Sequence, residues 1–308
     1  MRSQAACILL AAVALAQQPA QKPAPRDADI SKTIVVDVTR VNVLFTVSDR
    51  KGRFITDLVK DDFQVVENKR PQVIQEFTAE TDLPLRLGIL IDASNSVRDR
   101  FKFEQEAAVE FINHVVRPEQ DKAMVVSFDS SAELISDLSG DVEKLAKSVR
   151  DLRPGGGTAM FDAIFFACRE KLQQDQPRHK FRRAIIIVSD GDDNQSRVTR
   201  DQALELAQKA DVVIYAISTN ISRVDSDGDK VLKYLTAETG GQVFFPFKVQ
   251  DLAQSFENIA NELRHQYNIF YRPDPLKLDG LFHPIEVKVK GRSNVVVRAR
   301  KGYFAPRS

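Results

Sequence analysis

The sequence predicts an α/β protein, a doubly wound and largely parallel sheet inserted into a small β-sandwich domain that the insertion splits in two. Three observations carry this expectation. From about residue 83 to residue 266, short apolar runs alternate with amphipathic helical segments, the pattern of a parallel sheet covered on both faces. The two flanks instead alternate apolar and polar residues with period 2, as antiparallel strands with one buried face do. Neither flank can readily close a sandwich alone, but together they hold roughly 85 residues, close to a small sandwich domain.

The chain begins MRSQAACILLAAVALA, with one charge at Arg2, an apolar run, and Ala14 and Ala16 at its end. This reads as a secretory signal peptide over residues 1–16, with an A-x-A cleavage site before Gln17. A Pro-rich polar linker follows over 17–32. Removal of the signal would take away Arg2 and Cys7. The formal charge would then fall from the +1 of the 308-residue chain, and Cys168 would be left without an intramolecular disulfide partner. The charge balance of 44 Lys and Arg against 43 Asp and Glu argues against a nucleic-acid coat. No later stretch has 18 uninterrupted apolar residues, so the expectation is a protein outside the cytoplasm, secreted or periplasmic, without a transmembrane segment.

Residues 33–82 form the N-terminal β-rich part. Val41, Val43, Phe45 and Val47 share one face of a strand, and Asp49 to Gly52 turns the chain. Phe63, Val65 and the stretch Val73 to Phe77 predict further strands around the turn Glu67-Asn68-Lys69-Arg70. The α/β region, residues 83–266, opens with Leu85 to Ile91, an apolar run suited to a strand buried on both faces. Phe103, Ala107, Phe111, Ile112 and Val115 have helical spacing. Ala123 to Phe128 is a second buried strand, with Ala132 to Leu138 as an antiparallel neighbour. Helices are marked by Val142, Leu145, Ala146, Val149 and Leu152, and then by Phe161, Ile164, Phe165, Cys168 and Leu172. Ala184 to Val188 is the third buried strand, and Thr199 with Gln202 makes a capping box opening the next helix. Strands at Val212 to Ile217 and Val243 to Phe247 bracket a helix near Lys230 to Glu238, and Leu252, Phe256, Ile259 and Leu263 mark a final helix. In residues 267–308 the period returns to 2, at Tyr267 to Tyr271, Ile285 to Val289 and Val295 to Ala299.

In open α/β sheets, ligands sit beyond the carboxyl ends of the strands, where the strand order switches. The first buried strand runs into Asp92-Ala-Ser94-Asn-Ser96, the third into Ser189-Asp190-Gly191, and between them Gly155-Gly156-Gly157-Thr158 opens a helix. Asp92, Ser94, Ser96, Thr158 and Asp190 are all hard oxygen donors. Such a set suits Mg2+, which keeps water and so leaves a position for an incoming carboxylate.

This order of residues, D-x-S-x-S followed by a Thr and then an Asp on two further loops, resembles the von Willebrand factor type A (vWA) domain family and its metal-ion-dependent adhesion site. The resemblance covers about residues 83–266, and the flanks look like those of bacterial secreted vWA-related proteins. It implies a Rossmann-like vWA domain in which Ser94, Ser96 and Thr158 offer hydroxyls. Asp92 and Asp190 would hold Mg2+, or Mn2+ or Ca2+, directly or through water. An Asp or Glu of a protein partner would complete the shell.

Other features read more simply. Asp192, Asp193 and Asn194 suggest a solvated loop rim, and Arg178 to Arg183 a solvated loop before a strand. Asp225-Ser-Asp227-Gly-Asp229 starts like a calcium loop, but its glycine falls at position four and Thr236 at position twelve, so it reads as a polar turn. His114, His179, His265 and His283 are too scattered for a zinc site, and Cys168 lies on an apolar helix stripe.

The function expected is therefore a secreted or periplasmic, metal-dependent protein-binding module and not an enzyme. A structural envelope-assembly protein whose β domain is the binding surface is the alternative, and a metal-dependent hydrolase the third. Against enzymes stand the missing G-x-G-x-x-G after a strand, the missing G-x-S-x-G elbow, and Ser94 where an aspartyl phosphatase would need a second carboxylate.

Overall fold

The computed structural model describes residues 40–79, 83–175, 180–220, 222, 224–246 and 249–307, and all belong to one unit, Val38–Ser308. The expected signal peptide and linker lie outside the described residues, as do Arg178, His179 and Phe247; of the Leu252 side chain nothing is described. In chain order the first strands are β1 (Val41–Asp49), β2 (Phe63–Glu67), β3 (Arg70–Gln72) and β4 (Ile74–Thr78). The α/β region follows as β5 (Leu85–Asp92), α1 (Phe101–Val115), β6 (Lys122–Phe128), β7 (Ala132–Ser139), α2 (Val142–Arg150) and α3 (Met160–Phe166). It continues as β8 (Arg182–Ser189), α4 (Arg200–Lys209), β9 (Val212–Ser218), α5 (Asp227–Thr239), β10 (Val243–Phe244) and α6 (Val249–Arg264). The chain ends in β11 (Tyr267–Tyr271), β12 (Phe282–Val289), β13 (Val295–Ala299) and β14 (Gly302–Phe304).

The six-stranded sheet has the order β10-β9-β8-β5-β6-β7, parallel except for β7, which runs antiparallel to β6. Every residue of β5 is buried because alternate side chains enter two cores. Leu87, Ile89 and Ile91 pack with α1, α2 and α6, whereas Leu90 packs with α3, α4 and α5. Each such aliphatic side chain contributes about 1.5–3 kcal/mol by leaving water. The chain moves from β5 to β6 on one side and returns to β8 on the other, so the strand order switches between β5 and β8.

The flanking strands form two antiparallel sheets, β13-β1-β11-β4 and β14-β12-β2-β3. Both sheets mix strands from the two ends of the chain. Indeed β1 lies between β11 and β13, so both of its ladder partners come from the other flank. One apolar cluster joins the sheets, with Phe45 of β1 meeting Phe63 of β2 edge-on at 5.1 Å between ring centroids. Asn68 and Lys69, both at positive φ (48° and 66°), make the two-residue turn between β2 and β3. The strand expected over Val73 to Phe77 starts one residue later. Val73 is 81% exposed where the chain crosses from one sheet to the other.

Four further details differ from the sequence reading. Arg182 and Arg183 are not in a solvated loop. They open β8 fully buried, with Arg182 Nη1 donating to Leu263 O (2.5 Å) and Arg183 Nε to Leu172 O (2.7 Å). The segment Asp225 to Asp229 is not a free turn but the start of α5, where Ser226 and Asp229 form a capping box. In α1 the buried face includes Phe101 and Glu104, whereas Phe103 is only partly buried. The ladder of β10 extends over just Val243 and Phe244. Among the described residues, no helix is long and apolar enough to cross a membrane.

Candidate metal centre

Asp92 ends β5, and Asp190 directly follows β8, so the two carboxylates stand at the sheet's carboxyl edge beside the switch in strand order. Asp92 is fully buried. Its Oδ1 accepts the Ser94 backbone N–H (2.9 Å), and its Oδ2 accepts the Ser189 hydroxyl (2.6 Å) from the end of the adjacent strand. Burial pushes the Asp92 pKa up to about 6, against the opposing effect of these hydrogen bonds, and the charge of Asp190 raises it further. A bound cation would act in the other direction.

Ser94 is buried and directly precedes the short turn Asn95–Val97, on which Ser96 is exposed. The two hydroxyls are 2.8 Å apart. This loop is tied to the glycine loop by Gly155 N–H donating to Ala93 O (2.7 Å) and Asn95 N–H donating to Gly156 O (3.2 Å). Gly156 has φ +73°, and a Cβ there would lie 2.6 Å from Ser130 Oγ, so both backbone and space require glycine.

Thr158 is buried just before α3. Asn194 clamps it from the third loop. Its side-chain oxygen accepts the Thr158 N–H (3.0 Å), while the N–H groups of Asn194 and Gln195 both donate to Thr158 O (3.0 Å each). Asp193 accepts the Phe161 N–H (2.9 Å) and so satisfies an open donor at the start of α3. Asp192 and Asn194 are exposed, as a solvated rim requires, whereas Asp193 is half-buried. Asp193 and Asn194 also hold the Thr158 loop to the Asp190 loop.

The structure therefore brings the loops carrying Asp92, Ser94, Ser96, Thr158 and Asp190 together, with Ser96 exposed and Asp190 half-buried at the rim. Two carboxylates and three hydroxyls fit a hard divalent cation, which takes oxygen ligands and retains water. The bracing roles of Ser189 and Asn194 escaped the sequence reading, and so did the burial of Glu104. Glu104 could have been found there, because it falls three residues after Phe101 and seven before Phe111 on a stripe that is otherwise apolar. Ser189 and Asn194 carry no such signal, since their partners lie 97 and 36 residues away.

A doubly wound sheet with a cluster of carboxylate and hydroxyl oxygens at its switch point defines the class of domain. The von Willebrand factor type A domain model matches residues 87–262, more than half of the chain, and the chain belongs to that family. Domains of this family generally act as protein-interaction modules. An uncharacterized protein of Borreliella burgdorferi is 28% identical over 197 residues, which is 55% of each chain, so this chain spans about half the length of that curated relative. Among solved structures, a von Willebrand factor type A protein from Catenulispora acidiphila superposes with TM-score 0.51 at 13% identity, over 88% of this chain and 75% of that one. Proximal thread matrix protein 1 from the mussel byssus, solved with a zinc-occupied MIDAS motif, has TM-score 0.51 at 17% identity, over 64% of this chain and 50% of that one. These structural likenesses establish the fold.

Proposed function

We propose that this chain is a binding module that works outside the cytoplasm and grips an Asp or Glu carboxylate of a protein partner through a divalent ion, Mg2+ in the first instance. Asp92, Ser94, Ser96, Thr158 and Asp190 would hold the ion, and the reading assigns no catalytic residue. The observation that carries it is the all-oxygen cluster at the switch point, cross-linked by Asn194 and by the Ser189–Asp92 hydrogen bond, with Ser96 and Asp190 on its open side. When bound, the ion would supply a positive centre for the partner's carboxylate. The chain's own part is to hold the oxygens in place. The zinc-occupied motif of the mussel protein supports a divalent ion in such a site.

The domain assignment that goes with this reading is an inserted vWA domain over residues 83–266 within one β domain formed by 33–82 and 267–308. The pairing of β1 with β11 and of β2 with β12 across the insertion supports it. The test is a melting curve of the purified protein with Mg2+ and with EDTA, together with recovery of partners from extracytoplasmic extracts under both conditions. Mg2+ should raise the melting temperature and retain the partner, and Asp92→Ala should abolish both effects. An unchanged metal response in Asp92→Ala would overturn the reading.

A second reading places the binding surface on the β domain. In its favour Leu276, Leu278, Leu281 and Phe282 are exposed around the entry to β12. Partner recovery insensitive to EDTA but lost in Leu281→Ser would select it.

A further inference from the structure

We propose that Glu104 is a sixth protein group of the metal centre, a carboxylate that acts on the ion from within the domain through an ion-bound water. The proposal rests on the reading of Asp92, Ser94, Ser96, Thr158 and Asp190 as the ion's ligands.

Glu104 lies in the first turn of α1 and is 0% exposed, the one charged residue on that helix's buried face. Neither of its carboxylate oxygens has a hydrogen-bond partner among the described residues. A carboxylate sealed from water in this way is costly unless a positive charge or donor meets it. The groups that face it come from four elements. Arg100, at the start of the same helix, acts on it as a cation, while Asp92 from β5 and Asp190 after β8 act on it as like charges. The Thr219 hydroxyl, just beyond β9, faces it as a donor.

Arg100 does not close the account. Its Nη1 has no hydrogen-bond partner among the described residues either, and its guanidinium lies over the Phe103 ring, 5.2 Å from the centroid. When ionised, these three carboxylates outweigh the one guanidinium by two negative charges, which a divalent cation would neutralise. Among the described residues no three His, Cys, Asp or Glu side chains converge closely enough to hold an ion by themselves. Glu104 would then stand outside the direct ligand shell and accept a hydrogen bond from a water on the ion. Carboxylates in that position orient the shell and strengthen binding.

The experiment is a calorimetric titration of Mg2+ into the purified wild-type protein, Glu104→Gln and Glu104→Asp, with melting curves of all three in EDTA. Exposed Glu106→Gln on the same helix serves as the control for general electrostatics. Glu104→Gln should bind Mg2+ roughly 10- to 100-fold more weakly, the range for loss of an outer-shell partner. It should also melt no lower than wild type in EDTA, because a buried charge has been removed. Glu104→Asp, with the charge kept but withdrawn by one methylene, should fall between, and Glu106→Gln should match wild type. If Glu104→Gln does not fold, Glu104→Asp decides by the same comparison. Wild-type affinity in the Glu104 variants overturns this proposal and leaves the five-residue reading standing, whereas a wild-type protein that binds no Mg2+ overturns both.

Discussion

Replacing Glu262 by glutamine should remove a pH dependence of stability that the wild-type chain carries near neutrality. Glu262, on α6, is 0% exposed at the junction of the α/β region with the flanking strands. Its Oε1 accepts the Thr46 hydroxyl of β1 (3.2 Å) and lies 3.7 Å from Arg298 of β13, and its Oε2 accepts Gln242 Nε2 (3.1 Å). Burial raises its pKa from 4.5 to about 7, and Arg298 and Thr46 offset only part of that effect. The native state therefore holds this proton more tightly than the unfolded chain does. The resulting stability is fully present below pH 4.5 and is lost as the pH rises through about 7. At about 1.4 kcal/mol per pKa unit, the wild-type protein should lose about 2 to 3 kcal/mol from this group between pH 5 and pH 8. Glu262→Gln keeps the shape but cannot ionise, so the stability difference should move in its favour by that amount. Urea unfolding followed by far-UV circular dichroism at several pH values, in EDTA to exclude metal effects, measures both curves. Parallel pH profiles for the two proteins would refute the reasoning.

The site's supports make further predictions. Asn194→Ala removes the acceptor of the buried Thr158 N–H, and should cost about 1 kcal/mol in EDTA and weaken Mg2+ binding, read by melting and titration. Gly228→Ala places a Cβ 2.3 Å from the Asp190 carbonyl oxygen. The Asp190 loop must shift, and a loss of about 1–3 kcal/mol with weaker Mg2+ binding is expected from the overpacking. Cys168 is fully buried and its thiol pKa is pushed far up by burial, so a thiol reagent such as DTNB should leave it unmodified in buffer and label it in urea.

Much of this molecule is local and therefore readable along the chain. The capping box expected at Thr199 and Gln202 forms with both hydrogen bonds, because its partners are three residues apart. The antiparallel placement of β7 beside β6 needed only a short connection between two apolar runs. The Asp92 and Asp190 loops follow strands whose largely apolar character already placed them inside a parallel sheet. Misreadings arose where distant residues decide the environment. Arg182 and Arg183 look solvent-seeking in sequence, yet carbonyls of α6 and of the segment after α3 accept their hydrogen bonds inside the protein. Val73 looks like part of a strand, but the chain changes sheets there.

Composition, periodicity and one spaced motif determined the α/β class and the family, and pointed to five candidate oxygen donors between two β-rich flanks, since each depends on residues close together in sequence or on a pattern that repeats along it. Tertiary structure alone decided that β1 pairs on both sides with strands more than 200 residues away. It also decided that Ser189 and Asn194 brace the site and that Glu104 and Glu262 carry buried carboxyl groups. Pairing, bracing and desolvation are properties of neighbours in space, and only the folded chain brings those neighbours together.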